Sequence, residues 1–485
     1  MRRRDFWPVA ALLVVLLAGL GLVSVALRAD RVVQMPALLE PNASPSPLPQ
    51  VTPPSSPPAP RGATPRSPAP ESTVDPYALL SQEELLTTID ALTSIQPYSG
   101  WRNSASTGES EALDYVSEAL DRLAHLREMG IEQERQSFEV PLGTEIWETR
   151  LDLVLDGKAI RVPAGGLRGP RNDASLALGF DSDGALTDSK RDPVVVEGPV
   201  TAIRSPGDLA EIPPTGLEGQ VVLLDYAVID PVVRGGMQQA VDAAAELLAK
   251  APAGLVLVTQ FSNEQGESHG SFAGDGGALS RLEGSMVPPV LHVRLEDMAA
   301  AGIEGWGNLA RVQSATLRWD ADVLSPALSG NLVARIPGRD PSKAIVLGAH
   351  IDSVNNPGAM DDGSGSAVLL EIARVLDAAQ VQPPTDLYLA WFGSEELGLL
   401  GSTHFASTHQ DVVGRTVAML QIDCLTYPLE GIDAELTLVT WSGSPLGEER
   451  HAWPAYLAEA ARLHGVTVGM EDVAEVYSDN HVFGL

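Results

Sequence analysis

Five short stretches between Ile345 and His481 carry side chains suited to metal chemistry. They are Gly348-Ala349-His350-Ile351-Asp352-Ser353, Gly358-Ala359-Met360-Asp361-Asp362-Gly363-Ser364-Gly365, Phe392-Gly393-Ser394-Glu395-Glu396-Leu397-Gly398, Gln421-Ile422-Asp423 and Ser478-Asp479-Asn480-His481. Two imidazoles, His350 and His481, and three carboxylates, Asp361, Glu396 and Asp423, form a donor set that two adjacent zinc ions could share. Glu395 is left over beside Glu396. Neighbours on extended backbone point to opposite sides, so one glutamate can ligate while the other faces a substrate as the base for an activated water. Two such acids repel each other unless a cation or a shared proton relieves them. Asp352 is spaced to accept the second ring N–H of His350 and fix its tautomer. The chemistry implied is hydrolysis. A lone His-x-Asp or Glu-Glu is ordinarily solvated surface; five pieces in one order, several at strand ends, argue against that reading here.

The elements that must position these groups follow from the apolar pattern. After Asn331, continuous apolar runs at Ile345–Ala349, Leu387–Phe392 and Val417–Ile422 alternate with helical stretches at Gly365–Leu376 and Leu397–Ser407. This predicts an α/β fold, a mainly parallel central sheet with helices on both faces. Ligands on such sheets sit at the carboxyl ends of the strands, and His350, Glu395, Glu396 and Asp423 all fall just past a strand's last apolar residue. Upstream, Ser81 reads as the cap of a helix burying Leu85, Leu86, Ile89 and Leu92. A second helix is predicted from about Glu109 to Met129, stopped by Gly130. Residues 77–192 are therefore expected to be the first part of the catalytic domain and 301–485 its core. Between them, 193–300 reads as a small β-rich inserted domain with short strands at Val194–Val196, Val221–Leu224 and Leu255–Thr259 and a helix over Met237–Lys250.

The chain has 485 residues, with 64 acidic against 32 basic side chains, and a formal charge of −32. Such a surface repels phosphate backbones, which excludes nucleic acid as a partner. The single cysteine, Cys424, rules out an intrachain disulfide and reads as a packing residue. Residues 1–5 form a basic stub. The apolar run over 6–27 is about 22 residues, roughly 33 Å as a helix, enough to span a bilayer. The arginines before it place the remainder outside the cytoplasm, membrane-anchored, or secreted if Ser24-Val25-Ala26 marks a cleavage site. Residues 28–76, rich in Pro and Ser, are expected to be a disordered linker. His125, His269, His292, His404, His409, His451 and His464 read as surface or satisfied polar residues, and Tyr477 as strand packing rather than an oxyanion donor.

The site stretches resemble the co-catalytic dizinc aminopeptidase family, which includes bacterial leucyl-type enzymes and the vacuolar aminopeptidase. The resemblance is most specific in Gly348–Ser353, Ala359–Gly365 and Phe392–Ser402. It implies removal of N-terminal residues from peptides, with two Zn²⁺ per chain. The family's ligands fall on His350, Asp361 (bridging), Glu396 and Asp423, and its general base on Glu395. The run Gly216–Asp225 with the helix after it resembles the protease-associated domain, which implies a gating role without chemistry. One departure stands out: the family's last ligand is a His directly after Ser-Asp, where this chain has Asn480. Asn is a poor zinc donor, so His481 is assigned instead. Metal A is then expected on His350, Asp361 and Asp423, and metal B on Asp361, Glu396 and His481. Such folds continue beyond the position of Leu485 with another strand and helix, so the core is expected to be C-terminally incomplete. Three other activities remain open: carboxypeptidase action, a non-catalytic transferrin-receptor-like binding ectodomain, and glutaminyl-cyclase-like acyl transfer on a single zinc.

Overall fold

The computed structural model describes residues 76–168, 193–259, 277–280, 288–309, 311–425, 436–441, 452–463, 465–473 and 478–483. The basic stub, the apolar run over 6–27, the linker up to Asp75, His269, His451, His464 and Tyr477 lie outside them. Among the described residues no helix is long and apolar enough to cross a membrane.

Five strands build the sheet that carries the site: β1 (Glu132–Val140), β2 (Ala327–Ile336), β3 (Asp340–His350), β4 (Thr385–Phe392) and β5 (Thr416–Gln421). Their spatial order is β1-β2-β4-β3-β5. β3 runs parallel to both β4 and β5, whereas β2 is antiparallel to β4 and to β1. The parallel character is thus confined to the half bearing the site, and β1 and β2 extend it as an antiparallel edge. Because successive side chains alternate across a strand, each run feeds two cores. Leu332, Ala334, Ile345, Leu347, Ala349, Leu387, Leu389 and Trp391 pack on one face. Val333, Ala344, Val346, Tyr388, Ala390 and Phe392 pack on the other. A strand buried on both faces has to be apolar throughout, which is why these runs were readable.

Helices cover both faces. α1 (Gln82–Thr93), α2 (Thr107–Asp121) and α3 (Gly363–Ala379) lie on the first, with Leu85, Leu113, Val116, Leu369 and Ile372 in its core. α4 (Leu400–Thr408) and α5 (Asn480–Phe483) lie on the second through Phe405 and Phe483. The single helix expected over Glu109–Met129 is instead two. α2 ends at Asp121 with Arg122 as its cap, Leu123 turns extended, and a separate short helix covers Ala124–Met129. Gly130 terminates that second piece in the left-handed conformation, as its lack of a Cβ permits.

A second, eight-stranded sheet draws on strands between Gly143 and Leu324. Its longest pair, Gly143–Leu155 with Val312–Leu324, lies on either side of the 193–300 stretch in sequence. Its central strands, Val221–Asp225 and Gly254–Thr259, are buried throughout. A helix at Met237–Leu248 packs Ala240, Ala244 and Leu247 onto them.

One buried cation ties the N-terminal helices to the site. Arg102 is fully buried and donates to the carbonyl oxygens of Ile351 (2.8 Å), Leu92 (3.2 Å), Pro357 (2.7 Å) and Gly358 (3.0 Å). Burial pulls its pKa down to about 10 against the nearby charges of Asp352, Asp362 and Asp361. Removing it strands acceptors that have no water to turn to. Arg102→Met is therefore expected to destabilise the peptidase half by about 3–5 kcal/mol in urea unfolding; a loss under about 1 kcal/mol would mean that the loop holds itself.

Candidate metal centre

β3, β4 and β5 end on one edge of the sheet, and the loops leaving those ends meet there. His350 is the last residue of β3 and is 1% exposed. Its Nε2 lies 2.8 Å from Asp361 Oδ1 and 3.8 Å from Asp423 Oδ1. Its Nδ1 lies 3.1 Å from the main-chain oxygen of Asp352 and 3.4 Å from that residue's Oδ1. A carbonyl oxygen can only accept, so Nδ1 carries a proton and Nε2 is the nitrogen that can ligate.

The sequence reading gave the Asp352 carboxylate to the imidazole. The main chain of Asp352 is the nearer partner, and the carboxylate has another task. Its Oδ1 accepts from the Glu395 amide (3.1 Å), and its Oδ2 accepts from the Glu396 amide (3.2 Å) and the Ser104 hydroxyl (2.6 Å). Asp352 thus holds the loop after β4 against the end of β3.

Three sets of ligand atoms lie mutually within 4.8 Å: His350 with Asp361 and Glu396, His350 with Asp362 and Asp423, and Asp361 with Asp423 and Cys424. Four of the five expected ligands are therefore brought together. The fifth is not: His481 joins none of these sets and is exposed on α5. The reason is helical phase. Asp479 and Phe483, four residues apart and so on one face, are both buried, and the Phe483 ring sits 5.9 Å from that of Phe405. His481 lies midway between them and is turned about 200° from Asp479 around the axis, which faces it outward. The structure therefore does not bring His481 to the other four expected ligands. What its neighbours bring to the cluster is the Ser478 hydroxyl, donating to Asp423 Oδ2 at 2.6 Å, and the carboxylate of Asp479, which is fully buried and accepts from Gln421 Nε2 at 3.1 Å.

Asp362 also escaped the sequence reading. It caps α3 by accepting from Gly365 N (2.8 Å) and accepts the His350 amide (3.1 Å). Gly365 has to be glycine: a Cβ there would stand 2.1 Å from the Ile422 oxygen. Asp-x-x-Gly before an apolar helix is a cap signal, and it could have marked Asp362 as structural beside Asp361. Arg102 had no comparable signal.

The electrostatics are those of a cation site. Burial pushes Glu395 up to about 9 and Glu396 up to about 8; neighbouring carboxylates add to this and His350 opposes it. Burial likewise lifts Asp479 to about 7. Burial works to raise Asp423 too, but the His350 ring and the Ser478 hydroxyl outweigh it and hold Asp423 at about 2. The same crowd of acids keeps the His350 pKa well above its usual value despite its burial. Asp423 Oδ1, Asp479 Oδ1 and Gln421 Oε1 are buried acceptors without a hydrogen-bond partner among the described residues. An imidazole nitrogen, desolvated carboxylates and unpartnered oxygens together fit a divalent metal.

Comparisons with known proteins bear on this segment. Residues 331–483 match the model of peptidase family M28. Leupeptin-inactivating enzyme 1 of Streptomyces exfoliatus is 44% identical over 84 residues, which are 17% of this chain and 19% of that protein. Leucine aminopeptidase 1 of Aspergillus oryzae is 38% identical over 116 residues, 21% of this chain and 30% of its own length. An aminopeptidase of Pseudomonas aeruginosa is 46% identical over 76 residues, 16% of this chain and 14% of its own. The matched segments thus span less than a third of each of these relatives. The zinc aminopeptidase BSAP of Bacillus subtilis aligns over 83% of this chain and 81% of its own, at 19% identity and a TM-score of 0.45. Residues 331–483, which contain every residue of the three ligand sets, are thus similar to peptidase family M28.

Proposed function

We propose that this chain is a zinc-dependent aminopeptidase, hydrolysing N-terminal residues from peptides. The convergence of His350 at the end of β3, Asp361 in the loop after it, Glu396 in the loop after β4 and Asp423 just past β5 carries this reading; the aminopeptidases similar to its core support the direction of cleavage. Divalent metal bound here would polarise the scissile carbonyl and lower the pKa of an attacking water. Glu395 accepts the water's proton as the oxygen attacks the carbonyl carbon. It then returns that proton to the departing amine as the C–N bond breaks. Its backbone is fixed by Asp352, so its carboxyl reaches one place repeatedly.

Two ligand sets, one with Glu396 and one with Asp423, share Asp361 as their common member. That supports a pair of ions bridged by Asp361. His350, Asp361 and Asp423 would hold one, while Asp361 and Glu396 hold the other without the imidazole of His481. The second ion is therefore the looser of the two. The apolar run at 6–27 supports an extracytoplasmic body on a membrane anchor.

Three outcomes follow from these assignments. Glu395→Gln should keep its zinc yet turn over about 10²–10⁴ times more slowly on aminoacyl-anilides; undiminished turnover contradicts the role of Glu395, and cleavage of only C-terminal residues contradicts the aminopeptidase reading. By elemental analysis, His350→Ala should lose bound metal while His481→Ala retains it; loss in His481→Ala would restore that residue as a ligand. A chelator titration of the loaded wild type should release zinc in two resolved steps, and a single step would speak against the unequal pair.

A further inference from the structure

The Ser394–Glu396 loop presents three consecutive amide N–H groups, and each ends on a buried carboxylate. Asp352 takes those of Glu395 and Glu396. The Ser394 amide donates to Oε2 of Glu109, which lies 285 residues earlier in the chain, at 3.0 Å. We propose that Glu109 is a positioning residue for Glu395: it holds the loop after β4 at the depth where the Glu395 carboxyl can exchange a proton with water and leaving amine. This rests on the role given to Glu395 above.

Glu109 is 2% exposed, in the first turn of α2. Its Oε1 accepts from the Ser329 hydroxyl (2.8 Å) and the Gly330 amide (3.2 Å), and its Oε2 also accepts from the Ala105 amide (3.1 Å). Ser106 and Glu109 have the Ser-x-x-Glu spacing of a capping box, in which the glutamate normally turns back to its own helix cap. Here the Ser106 hydroxyl caps α2 by accepting the Glu109 amide (3.3 Å), while the glutamate carboxylate spans three segments: the α2 approach, β2 and the loop after β4. The contact is close. A Cβ on Gly393 would fall 2.9 Å from Glu109 Cδ and 2.3 Å from the Gly330 oxygen, so the loop backbone rests directly on this carboxyl. Ser394 is held at φ +51, a left-handed turn that reverses the chain just before Glu395, and its hydroxyl is tied to that of Ser329 at 2.8 Å. Such a conformation persists only where its surroundings impose it. Burial lifts the Glu109 pKa to about 7, with the Asp352 charge adding to the rise and its own donors opposing it.

All the hydrogens pointing at Glu109 come from donors, so an amide in its place turns an NH₂ toward one of them. Glu109→Gln should loosen the loop in a way that two readouts detect. Hydrogen–deuterium exchange of the 393–396 amides should speed up at least about tenfold, since that segment opens more readily. Turnover per zinc-loaded molecule should fall at least about tenfold with KM nearly unchanged, because a misplacement of about 1 Å costs this much. Ser106→Ala is the control: it weakens the α2 cap and lowers stability, yet should leave both readouts as in the wild type. If Glu109→Gln does not fold, Glu109→Asp, which keeps the charge but withdraws it by a methylene, carries the same expectation. Unchanged exchange, or faster exchange with unchanged turnover, overturns the proposal, as does an equal fall in turnover for Ser106→Ala. The exchange experiment decides whether Glu109 holds the loop even if the wild type proves inactive on peptides, the outcome that would defeat the peptidase reading instead.

Discussion

Too much negative charge gathered around one buried imidazole is the constraint on which this molecule turns. Asp352, Asp361, Asp362, Glu395, Glu396, Asp423 and Asp479 crowd the end of β3, where His350 and Arg102 are positive counterparts among the described residues. At an effective dielectric constant of about 20, two unit charges about 4 Å apart interact by about 4 kcal/mol. A few unrelieved pairs of this kind are comparable with the whole stability of a domain, about 5–15 kcal/mol. The cluster therefore holds together only through protons, donors or cations. Raised pKa values at Glu395, Glu396 and Asp479 are the proton solution; divalent metal is the other.

The scaffold is arranged around that problem. Acids assigned to the metal keep an oxygen clear of protein donors, as at Asp423 Oδ1. Those with a structural task are saturated with N–H and O–H groups. Asp352 holds the loop after β4, Asp362 caps α3 and holds the His350 amide, and Glu109 binds three segments. Arg102 anchors the chain just beyond His350 through four carbonyls rather than through a carboxylate. Its charge is thus delivered to the cluster through space while its hydrogen bonds fix the backbone. The second sheet touches this framework near the start of the chain, where Arg294 donates to the Tyr98 hydroxyl at 3.2 Å and His292 stacks on Trp101, the residue before Arg102.

Much of this was legible in the amino-acid sequence, and the parts that were not share a physical cause. β4 and the latter half of β3 could be read because strands covered on both faces are largely apolar, and β5, half-buried at the sheet edge, still carries the apolar run Val417–Leu420. His350, Asp361, Glu396 and Asp423 could be read because polar residues at the ends of such strands have few other uses. Whether His481 could join them depends on the phase of a one-turn helix, set by Phe483 packing on Phe405, and no local pattern encodes that. Glu109 resembled an ordinary capping residue, and Arg102 an ordinary surface arginine. Their partners lie some 250 residues away, and long-range pairing leaves no periodicity to detect. The break at Leu123 is also hidden from the sequence: leucine is a strong helix former, and the turn is read from its extended backbone alone.

Diffraction data collected at the zinc absorption edge from crystals of the loaded protein test the central claim most directly. The account predicts an anomalous peak about 2.0–2.2 Å from His350 Nε2 and from an Asp361 carboxylate oxygen, with a weaker second peak on the Glu396 side. An ordered cluster without any peak, or zinc bound elsewhere while His350 remains paired with Asp361, would contradict it.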